Sequence, residues 1–155
     1  MTSRSIQPLP GTYVLVCYAR RAGLVRIGQF GELSFRKGTY LYVGSALGPG
    51  GLLARLAHHM RPAPMPHWHI DYLRVAAPLR RVWFCYGPER REHDWARALG
   101  ELPGGAIPYP GFGSSDCDCK SHLFYFRKCP SVTAIDAALH ESTQDSSARH
   151  LLRLK

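Results

Sequence analysis

Glu92 is the residue most at odds with its neighbours. On a helical wheel beginning near Glu89 it falls between Trp95, Ala96 and Leu99, while His93, Asp94 and Arg97 point elsewhere. A carboxylate on an apolar stripe needs a compensating cation, so Glu92 calls for either one of the sixteen arginines or a metal ion. Arg55 and His59 stand one turn apart, on a stripe beside the apolar face of Leu53, Leu56 and Met60. An arginine fork grips a phosphate with two hydrogen bonds and a histidine exchanges a proton near neutral pH; a solvated helix edge is the alternative use of such a pair. Tyr13 and Tyr42 lie on separate strands, and each hydroxyl needs a partner if buried, although most such tyrosines are packing residues. In HWHIDYL, His69 and Asp71 share a face if the segment is a strand, where they would orient one another, touch a scissile bond or simply bond within a core. Cys117, Cys119 and His122 form a C-x-C-x-x-H run that suits zinc, the commoner use of C-x-C being two small residues in a tight turn.

The elements that must position these groups are legible from texture. Thr12–Tyr18 is β-branched and aromatic, apolar on both alternating faces, and reads as a central strand covered on two sides. Leu24–Gln29 and Glu32–Arg36 alternate around Phe30-Gly31 and read as a hairpin extending the sheet edge. Thr39–Val43 is a further strand, with Tyr40 and Tyr42 on one face, turning at Gly44-Ser45. Gly48-Pro49-Gly50-Gly51 opens a helix that Pro62 and Pro64 close. Trp68–Leu73 fits strand or helix, Arg81–Tyr86 a strand, and Gly87-Pro88 starts a helix running to about Leu99. A Gly/Pro-rich loop spans Glu101–Gly113, followed by a compact segment Ser114–Phe126 and a helix from Ser131 to His140. Together these predict an α+β domain over residues 11–141, with a small central antiparallel sheet flanked by helices and an added hairpin between the tyrosine-bearing strands. Residues 1–10 read as a flexible arm and 142–155 as a tail.

The 155 residues, 45% of them hydrophobic, suffice for one packed domain. A net charge of +9 gives a field that attracts phosphates, acidic lipids or acidic proteins. Five cysteines, with no apolar leader in MTSRSIQPLP, point to the cytoplasm, and the apolar runs are too short to cross a bilayer.

The ordered set Gly11-Thr12-Tyr13, Tyr42-Val43-Gly44 followed by Ser45, Arg55 in LLARLAHH, and Glu92 resembles the GIY-YIG nuclease superfamily. The segments YLYVGSALG, HWHIDYL and FGSSDCDCKSHLFYF extend the resemblance to its Uri-like putative endonucleases, over Gly11 to Phe126. The resemblance implies a GIY-YIG-like fold and a divalent-metal-dependent DNA endonuclease, with structure rather than sequence selectivity. By the same resemblance Glu92 holds Mg²⁺ or Mn²⁺, Arg55 braces the phosphate, Tyr13 is general base and Tyr42 positions water or substrate. His59 either takes the proton from Tyr13 or is itself the base, because a phenol of pKa about 10 is a poor base unaided. The interval between Tyr13 and Tyr42 exceeds the usual family spacing, which the hairpin accounts for. The chain has no asparagine, so the one that completes the site in several relatives has no counterpart; Ser115, Asp116 and His122 are the candidates for its place. The rival reading is a non-catalytic nucleic-acid-binding domain on the same scaffold. A protein-interaction role would rest on exposed aromatics such as Trp83 and Tyr109.

Overall fold

The doubly apolar run of the first strand, β1 (Gly11–Ala19), is explained by what covers it: helices lie on both faces of the sheet it centres. The computed structural model describes residues 6–62, 66–114, 117–143 and 147–154. After β1 come β2 (Gly23–Arg26), β3 (Glu32–Phe35), β4 (Gly38–Ala46), α1 (Gly51–Met60), α2 (His69–Ala76), β5 (Leu79–Tyr86), α3 (Glu92–Gly100), β6 (Gly105–Ala106), β7 (Leu123–Phe126), α4 (Val132–Thr143) and β8 (Arg149–Arg153). Six strands form an antiparallel sheet in the order β6-β7-β4-β1-β5-β8, so the fold is α+β with the antiparallel sheet in the middle.

Alternation along β1 and β4 sorts the core into two halves. Tyr13, Leu15 and Tyr42 face Leu52 and Leu56 of α1 and Ile70 and Leu73 of α2. Val14, Val16, Leu41 and Val43 face Trp95, Ala96 and Leu99 of α3 and Ile135 and Leu139 of α4. Two glycines are fixed by packing. A Cβ on Gly11 would collide with Leu52 of α1 and the Cys85 carbonyl of β5, and one on Gly44 would collide with the Tyr13 ring. Gly44 is paired across from Tyr13, and the tyrosine ring occupies the place that a Cβ there would take.

Several expectations are corrected. The hairpin β2–β3 forms its own two-stranded sheet instead of extending the main one. Its flanking strands β1 and β4 pair with each other and, on their outer edges, with β5 and β7, so neither offers an open edge beside the hairpin. Gly44 and Ser45 are inside β4, which runs on to Ala46 before the chain turns. The buried face of α1 is Leu52, Leu56 and His59, not Leu53, Leu56 and Met60; Leu53 is exposed, and apolar residues almost all round this helix made two stripes equally eligible. Trp68–Leu73 resolves as helix, with α2 starting at His69. The turn Gly87–Arg91 delays α3 until Glu92. Within the segment read as a tail, Arg149–Arg153 forms β8, paired with β5 and tied to α4 by a two-pronged contact of Arg149 with Asp136 (2.8 and 3.1 Å). Trp83 and Tyr109 are buried, not exposed. Among the described residues no helix is long and apolar enough to cross a membrane.

Candidate active site

Tyr13 and His59 are brought together by the packing of α1 on β1. The Tyr13 hydroxyl and His59 Nε2 are 2.8 Å apart, and each residue is 1% exposed. Burial pushes the Tyr13 phenol well above its ordinary pKa; Arg55, by charge and hydrogen bond, pulls it down, and the carboxylates of Glu92 and Asp71 push it up. Burial likewise raises Tyr42, reinforced by Tyr13 and Glu92 and opposed by Arg55. Arg55 itself lies with its guanidinium 4.3 Å from the centre of the Trp68 ring, which holds the fork in place beside the Tyr13 hydroxyl.

Behind His59 stands Asp71, 2% exposed, at the third position of α2. Its Oδ2 accepts from the backbone N–H of His67 (3.0 Å) and Trp68 (2.9 Å) and meets His58 Nε2 at 2.9 Å, while Oδ1 accepts from Arg74 at 3.1 Å. His59 Nδ1 is 3.7 Å from the same Oδ1. Burial would raise the Asp71 carboxyl, but these donors hold it far below the usual carboxylate range. Burial also lowers His59, so the ring is neutral at pH 7; Nδ1 is buried with Asp71 Oδ1 3.7 Å away, beyond hydrogen-bond reach, and a proton on Nδ1 leaves Nε2 to accept from Tyr13. His58, His59 and Asp71 are close enough to share a cation, yet Asp71 already accepts from four donors, one of them a guanidinium. A relay of protons suits this group better than a metal.

Glu92 starts α3, with its side chain 22% exposed, and the side chain it meets is a histidine and not an arginine. His122 Nδ1 lies 2.8 Å from Oε1. Burial acts to raise the Glu92 carboxyl, but His122 and the nearby Ser45 hydroxyl outweigh it and the net shift is downward. Ser45 directly follows Tyr42-Val43-Gly44 on β4, so the carboxylate meets the tyrosine strand although α3 packs on the opposite face of the sheet. One ionised, partly exposed carboxylate with a second oxygen beyond His122 is the kind of hard donor that Mg²⁺ or Mn²⁺ takes along with water.

Of the sequence-derived candidates, Tyr13, Arg55 and His59 converge directly, and Asp71 joins them through His59. Tyr42 and Glu92 share the same electrostatic neighbourhood. His122 belongs to the site through Glu92. His69 does not pair with Asp71: in a helix two residues apart means opposite sides, and its ring packs on Phe30 and Phe112 at 4.6 and 5.7 Å. Ser115 and Asp116 lie outside the described residues. His58, Arg74 and Ser45 contribute contacts that no spacing in the sequence announces.

An α+β scaffold with a buried Tyr–His–Asp line, a neighbouring arginine and an ionised glutamate is the class that fold and site define together. The chain belongs to the family described as Domain of unknown function DUF123, which it matches over residues 12–144. No curated protein and no solved structure matches it.

Proposed function

We propose that this protein is a divalent-metal-dependent endonuclease of the GIY-YIG type, acting on DNA with structure rather than sequence selectivity. The observation that carries the reading is the 2.8 Å contact of the Tyr13 hydroxyl with His59 Nε2, in the field of the Arg55 guanidinium and with Asp71 3.7 Å behind the imidazole. A phosphodiester gripped by Arg55 stands beside a hydroxyl that already has somewhere to send its proton. As water attacks phosphorus and the bond to the leaving oxygen breaks, Tyr13 accepts the water's proton while its own passes to His59 Nε2. Asp71 offsets the charge of the resulting imidazolium, the part a buried carboxylate plays behind a catalytic histidine. The relay removes the difficulty that burial makes Tyr13 reluctant to ionise, because no free phenolate has to persist. Glu92 would hold Mg²⁺ or Mn²⁺, which supplies charge compensation at the phosphate and the leaving oxygen. Tyr42, beside Tyr13 and Glu92 in the field of Arg55, would position the water or the substrate.

The test is cleavage of end-labelled single-stranded, branched and duplex DNA with added Mg²⁺ or Mn²⁺. Wild type should cut, and Tyr13→Phe, His59→Ala, Arg55→Ala and Glu92→Gln should each be slower by about 100-fold or more. Wild-type rates in both Arg55→Ala and Glu92→Gln would remove this active site. Binding without cleavage under every metal condition would establish the rival, a nucleic-acid-binding module.

A further inference from the structure

On the far side of His122 a second constellation converges. Cys117, Cys119 and His122 precede β7, and His93 is the second residue of α3; one ligand atom from each of the four lies within 4.8 Å of all the others. His93 Nδ1 is 3.1 Å from Cys119 Sγ, and Cys117 Sγ is 3.4 Å from His122 Nε2. A zinc ion bound tetrahedrally by two thiolates and two imidazoles places its ligand atoms about 3.3–3.8 Å apart, from the usual Zn–N and Zn–S lengths. Two of the six spacings, 3.1 and 3.4 Å, lie close to that range, and the other four are no longer than 4.8 Å.

We infer that His93, Cys117, Cys119 and His122 form a tetrahedral zinc centre, with Glu92 orienting His122 as a ligand. The donor set is soft sulfur and borderline nitrogen, which selects zinc over the hard cations that carboxylates favour. His122 is held on both sides. Its backbone N–H bonds to the Phe112 carbonyl (2.8 Å), and its own carbonyl accepts from Val43 of β4 (2.9 Å). At the ring, the Glu92 carboxylate stands 2.8 Å from Nδ1, close but without the alignment of a hydrogen bond, while Nε2 faces Cys117. A carboxylate behind a ligating histidine is the arrangement that orients metal-binding imidazoles and makes them more basic. The C-x-C-x-x-H run thus lacks only a fourth ligand, and α3 supplies it across 24 residues of chain from the nearest cysteine, counted from His93 to Cys117. Four protein ligands leave no open position, so the centre is structural, pinning the segment before β7 to the start of α3. It also couples to the proposed nuclease site, because the carboxylate that orients His122 is the one assigned there to Mg²⁺ or Mn²⁺. The zinc assignment itself does not depend on that activity.

Metal content and cobalt spectroscopy test it on the full-length protein. Protein purified under reducing conditions should carry one zinc per chain, and Co²⁺ exchanged for it should give the intense visible bands and sulfur-to-metal charge transfer of a tetrahedral thiolate site. Zinc should drop to background in the Cys117→Ser/Cys119→Ser double variant. His93→Ala should weaken binding and change the cobalt bands, and Glu92→Gln should lower zinc affinity about 10–100-fold. Wild-type protein that takes up no stoichiometric zinc, or a double cysteine variant that keeps it, would overturn the centre; either readout stands apart from DNA cleavage, and the wild-type measurement needs no variant to fold.

Discussion

Asp71 gathers the charge of the candidate site, and its partners make its contribution to stability depend on pH in a defined direction. Its carboxyl is depressed in the folded protein, so the stabilisation is present above the unfolded value near 3.8 and is lost as pH falls below it toward the lower folded value. Asp71→Asn removes the charge and leaves one oxygen to serve donors now shared by two, at a cost of about 2–3 kcal/mol at pH 7. Urea midpoints for wild type and Asp71→Asn should therefore be well separated at pH 7 and draw together below about pH 4. A gap that stays constant down to pH 2 would mean that the negative charge of Asp71, paired with Arg74, contributes nothing. At this scale the sequence was legible where a residue contradicted its own element: Glu92 on an apolar stripe, Arg55 and His59 one turn apart. Asp71 was singled out with the wrong partner, His69, because that pairing needed HWHIDYL to be extended. In a helix the aspartate turns instead to α1 and accepts from the backbone at its own N-terminus.

Among the elements, β8 has a consequence for stability that its short, mixed sequence conceals. It covers the outer edge of β5 from Arg81 to Cys85 and buries Leu152. Deleting residues 147–155 would uncover that edge and the hydrogen-bonding groups along it, which is a template for association with another chain. The truncated protein should lose solubility and form oligomers by light scattering, while Asp136→Ala, which only loosens Arg149, should stay monodisperse; a soluble, monomeric truncation would show that β5 does not need this cover. The strands of the centre were readable because burial on both faces leaves a continuous apolar signature, as in β1. The edge strands were not: RHLLR alternates weakly, and β6 is two residues long. The hairpin was found from its alternation, but its separation from the main sheet follows from which edges β1 and β4 have left, a property of pairing that no local pattern records.

For the molecule as a whole, the net charge of +9 predicts how a nucleic-acid complex must respond to salt. Arg55 and other basic side chains meeting the backbone release counterions, so affinity for DNA should fall by about 100-fold or more between 50 and 200 mM salt, the drop that about four phosphate contacts produce. Fluorescence anisotropy with Glu92→Gln protein, which binds without cutting in the proposed mechanism, reads this directly; affinity insensitive to salt would point away from a phosphate-binding surface. Composition announced this property, whereas the four-ligand Cys/His cluster required His93 to be carried to the others by the packing of α3. The sheet order also bears on how the chain is made. β1 leaves the ribosome before the other strands of its sheet but sits beside its middle, and it must wait for β4, ending at Ala46, and then β5, ending at Tyr86, before both edges are satisfied. The last edge closes only when Arg153 is out. Translation thus runs against the order of the sheet, and β5 keeps an open edge until β8 emerges, whereas the self-contained hairpin can finish early.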